Sequence, residues 1–150
     1  MAAEPARKLD EQVAINPKTL RAVEVSYARC LNKSGFLNRF YEIFMASHPD
    51  VKKHFAHTDF DAQIQLLRHG LMSVFMFSEN NPIGQKALTR IRESHKRTKL
   101  NIAPPLYQHW ADSLIKTVSE FDGQFNADLE RSWRQVIQPA IDYIRSGYNG

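Results

Sequence analysis

The amino-acid sequence predicts an all-α domain of about seven helices. Apolar residues recur at spacings of three and four along most of the chain, and no stretch alternates with period two for long enough to form a strand. Asparagine or histidine followed by proline, at 16–17, 48–49 and 81–82, marks helix boundaries. With 150 residues, the chain is long enough to bury one core without disulfides or a structural metal.

The composition argues against some classes of partner and indicates the cellular compartment. Basic residues give a formal charge of +4 but are interspersed with acidic ones, which argues against nucleic acid as the main partner. Cys30 is the only cysteine, so an internal disulfide and a Cys-rich metal site are excluded and a reducing compartment is indicated. No segment has the apolar length of a signal peptide or a membrane span. We expect a cytoplasmic protein with an N-terminal extension over 1–15 and a folded domain over 16–147.

Local signals place the boundaries of the predicted helices. Thr58 and Asp61 have the spacing of a capping box, with Asp in place of the usual Glu or Gln, and open a helix whose apolar face runs to Ser78. Gly147 fits as the stop of the last helix. In chain order, helices are predicted over about 16–31, 36–47, 49–55, 58–78, 80 through His95, 104–121 and 126–145.

His95 falls in register with the apolar side of its predicted helix, four residues after Ile91 and seven after Leu88. A neutral imidazole that faces inward among apolar side chains suits the axial ligand of an iron cofactor. A histidine in this setting also serves as a hydrogen-bonded core residue. The helix alone does not decide between these two roles.

Several motifs at agreeing distances resemble the bacterial single-domain globins across roughly residues 18–146. The segment 40–49, Phe-Tyr-Glu-Ile-Phe-Met-Ala-Ser-His-Pro, is similar to the second globin helix and its turn proline. Phe55, six residues later, matches the haem-packing phenylalanine, and residues 54–60 resemble the turn into the distal helix. His95, followed by a polar turn, a proline and then Tyr107, is similar to the proximal histidine and the helix after it. The resemblance implies a three-on-three helical sandwich around a haem pocket.

Residue by residue, the resemblance implies haem b with His95 as the proximal iron ligand. Tyr41, eight residues before the turn proline, takes the place of a distal tyrosine. Gln63, eight residues after Phe55, takes the place of the distal polar residue. Further haem contacts are implied for the haem-packing phenylalanine, a pocket leucine, a basic collar and residues after His95, namely Phe55, Leu67, Arg92, Lys96, Leu100 and Tyr107.

Three alternatives stay open for the iron's distal side. A longer turn puts Leu66 or Leu67 in the place of Gln63. In the second alternative, the Tyr41 hydroxyl turns sideways and bonds a backbone carbonyl instead of facing the pocket. In the third, a different register of the distal helix makes His69 a sixth iron ligand.

The resemblance implies reversible binding of oxygen, or of NO or CO, because a phenol and an amide in a low-dielectric pocket stabilise a partly negative oxygen. The alternatives are nitric oxide dioxygenation with an external reductase, a weak peroxidase activity, and gas sensing through a separate partner. In flavohaemoglobins a tyrosine and a glutamate activate the proximal histidine. Tyr107 fits that tyrosine, but the last helix offers no glutamate at a suitable place, which argues against strong redox activation. Monomer and dimer both stay open.

Overall fold

The computed structural model describes residues 15–150, and within them the chain forms seven α-helices joined by short turns. In chain order they are α1 (Pro17–Leu31), α2 (Phe36–Ser47), α3 (Pro49–His54), α4 (Phe60–Ser78), α5 (Pro82–His95), α6 (Leu106–Phe121) and α7 (Ala127–Arg145). These residues contain no strand, so the predicted all-α class is confirmed. The predicted N-terminal extension lies, apart from Ile15, outside the described residues.

Short polar side chains begin several helices by capping backbone N–H groups. Side-chain oxygens of Asn16, Asn81 and Asn126 each accept a first-turn N–H at 2.8–2.9 Å. His48 caps α3 in the same way, because its Nδ1 accepts the N–H of Asp50 at 3.0 Å. The asparagine and proline pairs therefore start helices where the sequence predicts them.

The start of α4 differs from the predicted capping box. Asp59, and not Thr58, is the cap, and its Oδ1 accepts the N–H groups of Asp61 and Ala62 at 3.1 and 3.3 Å. The box predicted on Thr58 and Asp61 is therefore wrong. A carboxylate at this position accepts both N–H groups and places negative charge at the positive end of the helix, which a threonine hydroxyl does not.

The helices pack in two layers of three, as predicted for a three-on-three sandwich. The pairs α4–α5 and α2–α6 pack most extensively, α7 packs against α1, α4, α5 and α6, and α3 is a short link after α2. The α5 helix packs against both α4 and α7, and α2 packs against α6. The start of α4 thus lies against α2, and the end of α5 lies near the start of α6. These two places carry the predicted distal and proximal residues.

A buried polar cluster joins α1 to the turn between α6 and α7. We call Ser26, Arg29, Asp122 and Trp133 the Asp122 cluster. Asp122 accepts from the Ser26 hydroxyl at 2.6 Å and from two Arg29 nitrogens at 2.7 and 2.9 Å, while the Trp133 indole donates to Ser26 Oγ at 3.0 Å. Burial raises the pKa of Asp122, but the hydrogen bonds from Arg29, Ser26 and the Gln124 N–H outweigh it and bring the pKa to about 2.

Cys30 lies on α1 one turn after Ser26 and has no exposed surface. Burial raises the pKa of its thiol to about 12, and the nearby Asp122 carboxylate acts in the same direction. Among residues 15–150, no helix is long and apolar enough to cross a membrane.

The last helix ends near the predicted place, but Gly147 has another role than the predicted stop. The residue that caps α7, Ser146, is in the right-handed region, and Gly147 has no positive φ. A Cβ at Gly147 would lie 2.6 Å from Nε of Arg92, far inside van der Waals contact. Glycine at this position therefore allows the close approach of an arginine and is not part of a left-handed turn.

Candidate functional site

The α5 helix delivers His95 as its last residue. Leu88 is buried and Ile91 half-buried on the same side of the helix, as the apolar spacing predicts. The His95 ring is half-buried and its centroid lies 6.4 Å from that of Tyr107 on α6. The chain leaves the helix at Lys96 in an extended conformation, so the imidazole lies at the point where α5 gives way to a turn.

Two hydrogen bonds determine which His95 nitrogen carries the proton. Ser94 Oγ lies 2.8 Å from the Ile91 carbonyl and 2.8 Å from His95 Nδ1. A carbonyl only accepts, so the single hydroxyl proton of Ser94 goes to Ile91 and its oxygen accepts from Nδ1–H. Nε2 is then the unprotonated nitrogen, and among the described residues it has no hydrogen-bond partner. Ser94 is not among the predicted site residues, although a small hydroxyl residue directly before the histidine is a signal for this hydrogen bond.

Burial keeps this imidazole neutral. It lowers the pKa of His95, the backbone hydrogen bond to Ile91 opposes that shift, and the nearby His54 acts with burial. Neutral imidazole is the form that binds metal through its lone pair. The geometry and the charge state of His95 are thus those of an axial ligand whose Nδ1 is held by its own helix.

On the other side, α2 and α4 bring Tyr41 and Gln63 together. The Tyr41 side chain is buried, with ring centroids of Phe55 and Phe60 at 5.5 and 5.7 Å. Nε2 of Gln63 donates to the Tyr41 hydroxyl at 3.2 Å. Aromatic side chains therefore surround a phenol and an amide that touch each other.

The register of α4 brings Gln63, and not Leu66, to Tyr41. Leu66 is 63% exposed and so points away from the core, whereas Leu67 is buried one turn after Gln63. His69 is also exposed on α4. Of the alternatives for the distal register, the arrangement with Gln63 beside Tyr41 and Leu67 inside is the one present.

The Tyr41 hydroxyl itself shows the sideways arrangement. It donates to the backbone oxygen of Gln63 at 3.3 Å, which is long for an O–H···O bond, whose usual length is about 2.7–2.8 Å. Burial raises the pKa of Tyr41 to about 12, and the hydrogen bond with Gln63 partly opposes that shift. The phenol therefore stays protonated and remains a donor at neutral pH.

Phe55 is half-buried beside Tyr41, and its ring centroid lies 6.0 Å from that of Phe44. Leu100, by contrast, is 57% exposed in the turn after α5. Tyr107 is buried at the start of α6. Burial raises the pKa of Tyr107, and the cation Arg145 on α7 lowers it. The charged residue of α7 that acts on Tyr107 is thus the cation Arg145, and not a glutamate as the resemblance to flavohaemoglobins would require.

The predicted basic collar is engaged with other groups. Nε of Arg92 donates to the Tyr143 carbonyl at 3.1 Å, so its guanidinium lies on the end of α7. Nζ of Lys96 lies 3.0 Å from the Glu93 carboxylate on the surface. Neither cation reaches toward Tyr41 or His95 through these bonds.

No group of three or more His, Cys, Asp or Glu that would hold a metal ion occurs among residues 15–150. A metal at this site would therefore need ligands beyond the protein, as a porphyrin supplies. One unpartnered Nε2 on α5, together with two hydrogen-bond donors among aromatic rings on α2 and α4, fits a haem with one protein ligand.

The chain is similar to a solved structure, that of protein PA3967 from Pseudomonas aeruginosa PAO1, described as structurally highly homologous to a human haemoglobin. The two sequences are 36% identical, the match covers 88% of this chain and 99% of that chain, and the TM-score is 0.85. No family model and no curated protein matches the chain. With this identity and coverage, and the same arrangement of helices, the chain belongs to the haemoglobin-like bacterial globins.

Proposed function

We propose that this globin binds haem b through His95 and reversibly binds oxygen, or another diatomic gas, beside Tyr41 and Gln63. The observation that carries the proposal is the pair of 2.8 Å contacts of Ser94 Oγ, to the Ile91 carbonyl and to His95 Nδ1, from which we infer that Nδ1 carries the proton and Nε2 keeps its lone pair. When bound, haem supplies a ferrous iron that takes up the gas. The protein supplies the ligand, the shape and the hydrogen-bond donors.

Tyr41 and Gln63, which we call the distal pair, support tight binding of a gas that becomes partly negative when bound, such as oxygen. The Tyr41 hydroxyl is protonated at neutral pH, and its long bond to the Gln63 carbonyl is weak enough to exchange for a better acceptor. The amide of Gln63 is the second donor. Each bond to the gas is worth about 1–1.5 kcal/mol, and about 1.4 kcal/mol corresponds to a tenfold change in affinity.

The proximal side favours gas binding over redox activation. The Nδ1–H of His95 meets a neutral hydroxyl and a neutral carbonyl, where a carboxylate would increase electron donation by the imidazole. Tyr107 has the cation Arg145 near it, and no hydrogen bond joins it to His95 in the described part of the chain. Nitric oxide dioxygenation, which also needs an external reductase, is therefore the second candidate and not the first.

The test is the visible spectrum of the purified protein after addition of haem, in the ferric, ferrous and CO forms. Wild type should show a Soret band in all three, and His95→Ala should lose it. His69→Ala, which removes an exposed histidine of α4, is the matched control and should keep it. Haem uptake by His95→Ala equal to that of wild type would contradict the proposal.

A second measurement separates carrier from dioxygenase. The oxygenated protein is mixed with NO in a stopped-flow instrument, with and without a flavin reductase. Single consumption of NO without sustained turnover agrees with a gas carrier. Repeated nitrate formation at the expense of the reductant would replace the proposed role by nitric oxide dioxygenation.

A further inference from the structure

The chain after α7 folds back onto the turn that follows His95. The Tyr148 carbonyl accepts the N–H of Arg97 at 2.8 Å, and the Tyr148 hydroxyl donates to Oδ1 of Asn101 at 2.6 Å. One residue of the tail thus bonds to both ends of the turn 97–101. We call this group of residues the C-terminal clasp, formed by Arg92, Arg97, Asn101, Tyr143, Gly147 and Tyr148.

The turn held in this way is the one that fixes the carbonyl of His95. Ile102 N–H donates to the His95 carbonyl at 3.1 Å, and Leu100 N–H to the Ser94 carbonyl at 3.0 Å. Asn101 has φ +55°, in the left-handed region that residues other than glycine rarely adopt. Asparagine adopts this region more readily than most other residues, and the bond from Tyr148 adds to that preference by holding the Asn101 side chain.

Arg92 forms the second half of the clasp, one turn before His95. Its guanidinium carbon lies 5.1 Å from the centroid of the Tyr143 ring, and its Nε donates to the Tyr143 carbonyl. The side chain passes over Gly147 so closely that a Cβ there would meet its Nε at 2.6 Å and its Cδ at 3.0 Å. A side chain at position 147 would therefore displace Arg92 from its present place against Tyr143.

We propose that the C-terminal clasp is a positioning device for His95, with Arg92 and Tyr148 as its positioning residues. It holds the end of α5 and the turn after it, so that the imidazole and its Ser94 partner keep one orientation. The inference rests on the proposed role of His95 as haem ligand. The first part of the proposal, that the clasp holds the turn, concerns the protein chain alone and is tested by a readout that does not depend on haem.

The first test is amide hydrogen exchange of the full-length protein as purified, read at Ile102. The N–H of Ile102 bonds to His95 and not to the tail, so its exchange rate reports on the turn itself. Arg92→Ala and Gly147→Ala should each raise that rate about tenfold, as loss of one hydrogen bond of about 1.4 kcal/mol predicts. The double variant should exceed neither single variant, because both substitutions remove the same contact.

Tyr148→Phe removes a different contact, keeps the ring and serves where the glycine variant fails to fold. It should raise exchange at Ile102 about fivefold, and its effect should add to that of Arg92→Ala. Arg90→Ala, an exposed arginine of the same helix, is the matched control and should leave the rate unchanged. Unchanged exchange at Ile102 in all variants of the clasp would overturn the proposal.

The second test reads the position of the imidazole in the haem-loaded ferrous protein. Resonance Raman spectroscopy gives the iron–histidine stretching band, and transfer of haem to an acceptor protein gives its rate of loss. Arg92→Ala and Tyr148→Phe should broaden or shift the band and raise haem loss about five- to tenfold. Faster exchange at Ile102 with an unchanged band and unchanged haem loss would reduce the clasp to a purely structural contact and overturn the positioning role. A wild-type chain without a Soret band would refute the proposed function, while the exchange experiment still decides whether the clasp holds the turn.

Discussion

The Asp122 cluster and the Tyr41–Gln63 pair are both buried and polar, but their hydrogen bonds differ in length. In the Asp122 cluster the bonds are 2.6–3.0 Å long, and one carboxylate accepts from a serine, an arginine and a backbone N–H. In the distal pair the two bonds are 3.2 and 3.3 Å long. The polar groups of the Asp122 cluster are bonded to one another by short hydrogen bonds. The hydroxyl and the amide of the Tyr41–Gln63 pair make only long bonds and are able to bond to a ligand instead.

This difference agrees with a structural role for the Asp122 cluster and with the proposed ligand-binding role of the Tyr41–Gln63 pair. A buried carboxylate whose pKa is lowered on folding stabilises the folded state above that pKa, and removing it leaves its cation without a partner. Two donors joined by long bonds lose little when a better acceptor arrives. We therefore expect changes in the cluster to alter the free energy of unfolding and changes in the pair to alter gas release.

Asp122→Asn is expected to have the largest effect, a loss of about 3 kcal/mol in the free energy of unfolding. Arg29 keeps its charge but loses the carboxylate that it binds through two nitrogens. Urea unfolding of the apoprotein measures the loss. Asp142→Asn is the control, because Asp142 is an exposed aspartate that also binds an arginine and should cost less than about 1 kcal/mol. Equal losses in the two variants would remove the distinction between buried and surface pairs.

Acid should abolish part of this stabilisation. The pKa of Asp122 is lowered from 3.8 to about 2 in the folded chain, so its contribution is present above pH 4 and is lost as the pH falls from about 4 to 2. The shift corresponds to about 2 kcal/mol. The difference in unfolding free energy between wild type and Asp122→Asn should therefore shrink over that range. A difference that stays constant from pH 5 to pH 2 would show that the carboxylate charge is not its source.

Tyr41→Phe is expected to change stability least and function most directly. Its hydroxyl makes only long bonds in the protein, so the unfolding free energy should change by less than about 1 kcal/mol. The oxygen off-rate should rise about tenfold, and Gln63→Leu should raise it by a similar or smaller factor. Flash photolysis or stopped-flow measurement gives these rates, with the exposed Gln65→Leu as the matched control. An unchanged off-rate in Tyr41→Phe would mean that the hydroxyl stays on the Gln63 carbonyl when gas is bound.

Sequence patterns predicted the helices well because their signals are local. Apolar spacing, asparagine caps and prolines act within one or two turns, and the seven helices begin and end close to the predicted places. The error at Thr58 and Asp59 arose from two adjacent residues that can both cap, where only the start of the helix decides between them. The family resemblance, and no local pattern, implies the distal placement of Tyr41 and Gln63, which stays a prediction; the two side chains are in contact in the fold.

Contacts between distant segments were beyond the sequence patterns. The sequence predicts Arg92 as part of the basic collar because arginine is always charged. The Tyr143 carbonyl that Arg92 binds is a backbone group, and no sequence pattern indicates it. Gly147 was correctly placed at the end of the last helix but for a different physical reason, since its partner lies 55 residues earlier in the chain. Side chain to backbone contacts of this kind depend on how helices pack, and helix packing leaves only a weak trace in any one segment.

Because the free thiol of Cys30 is buried, its reactivity is an internal probe of unfolding. Only the thiolate reacts with thiol reagents, and a thiol with no exposed surface and a pKa of about 12 is almost never in that form while α1 stays in the core. Labelling of this single site therefore counts the molecules in which α1 has opened. If haem binds the folded form, as proposed, it reduces the population of open molecules by mass action, and the labelling rate with and without haem then measures how strongly the cofactor stabilises the fold.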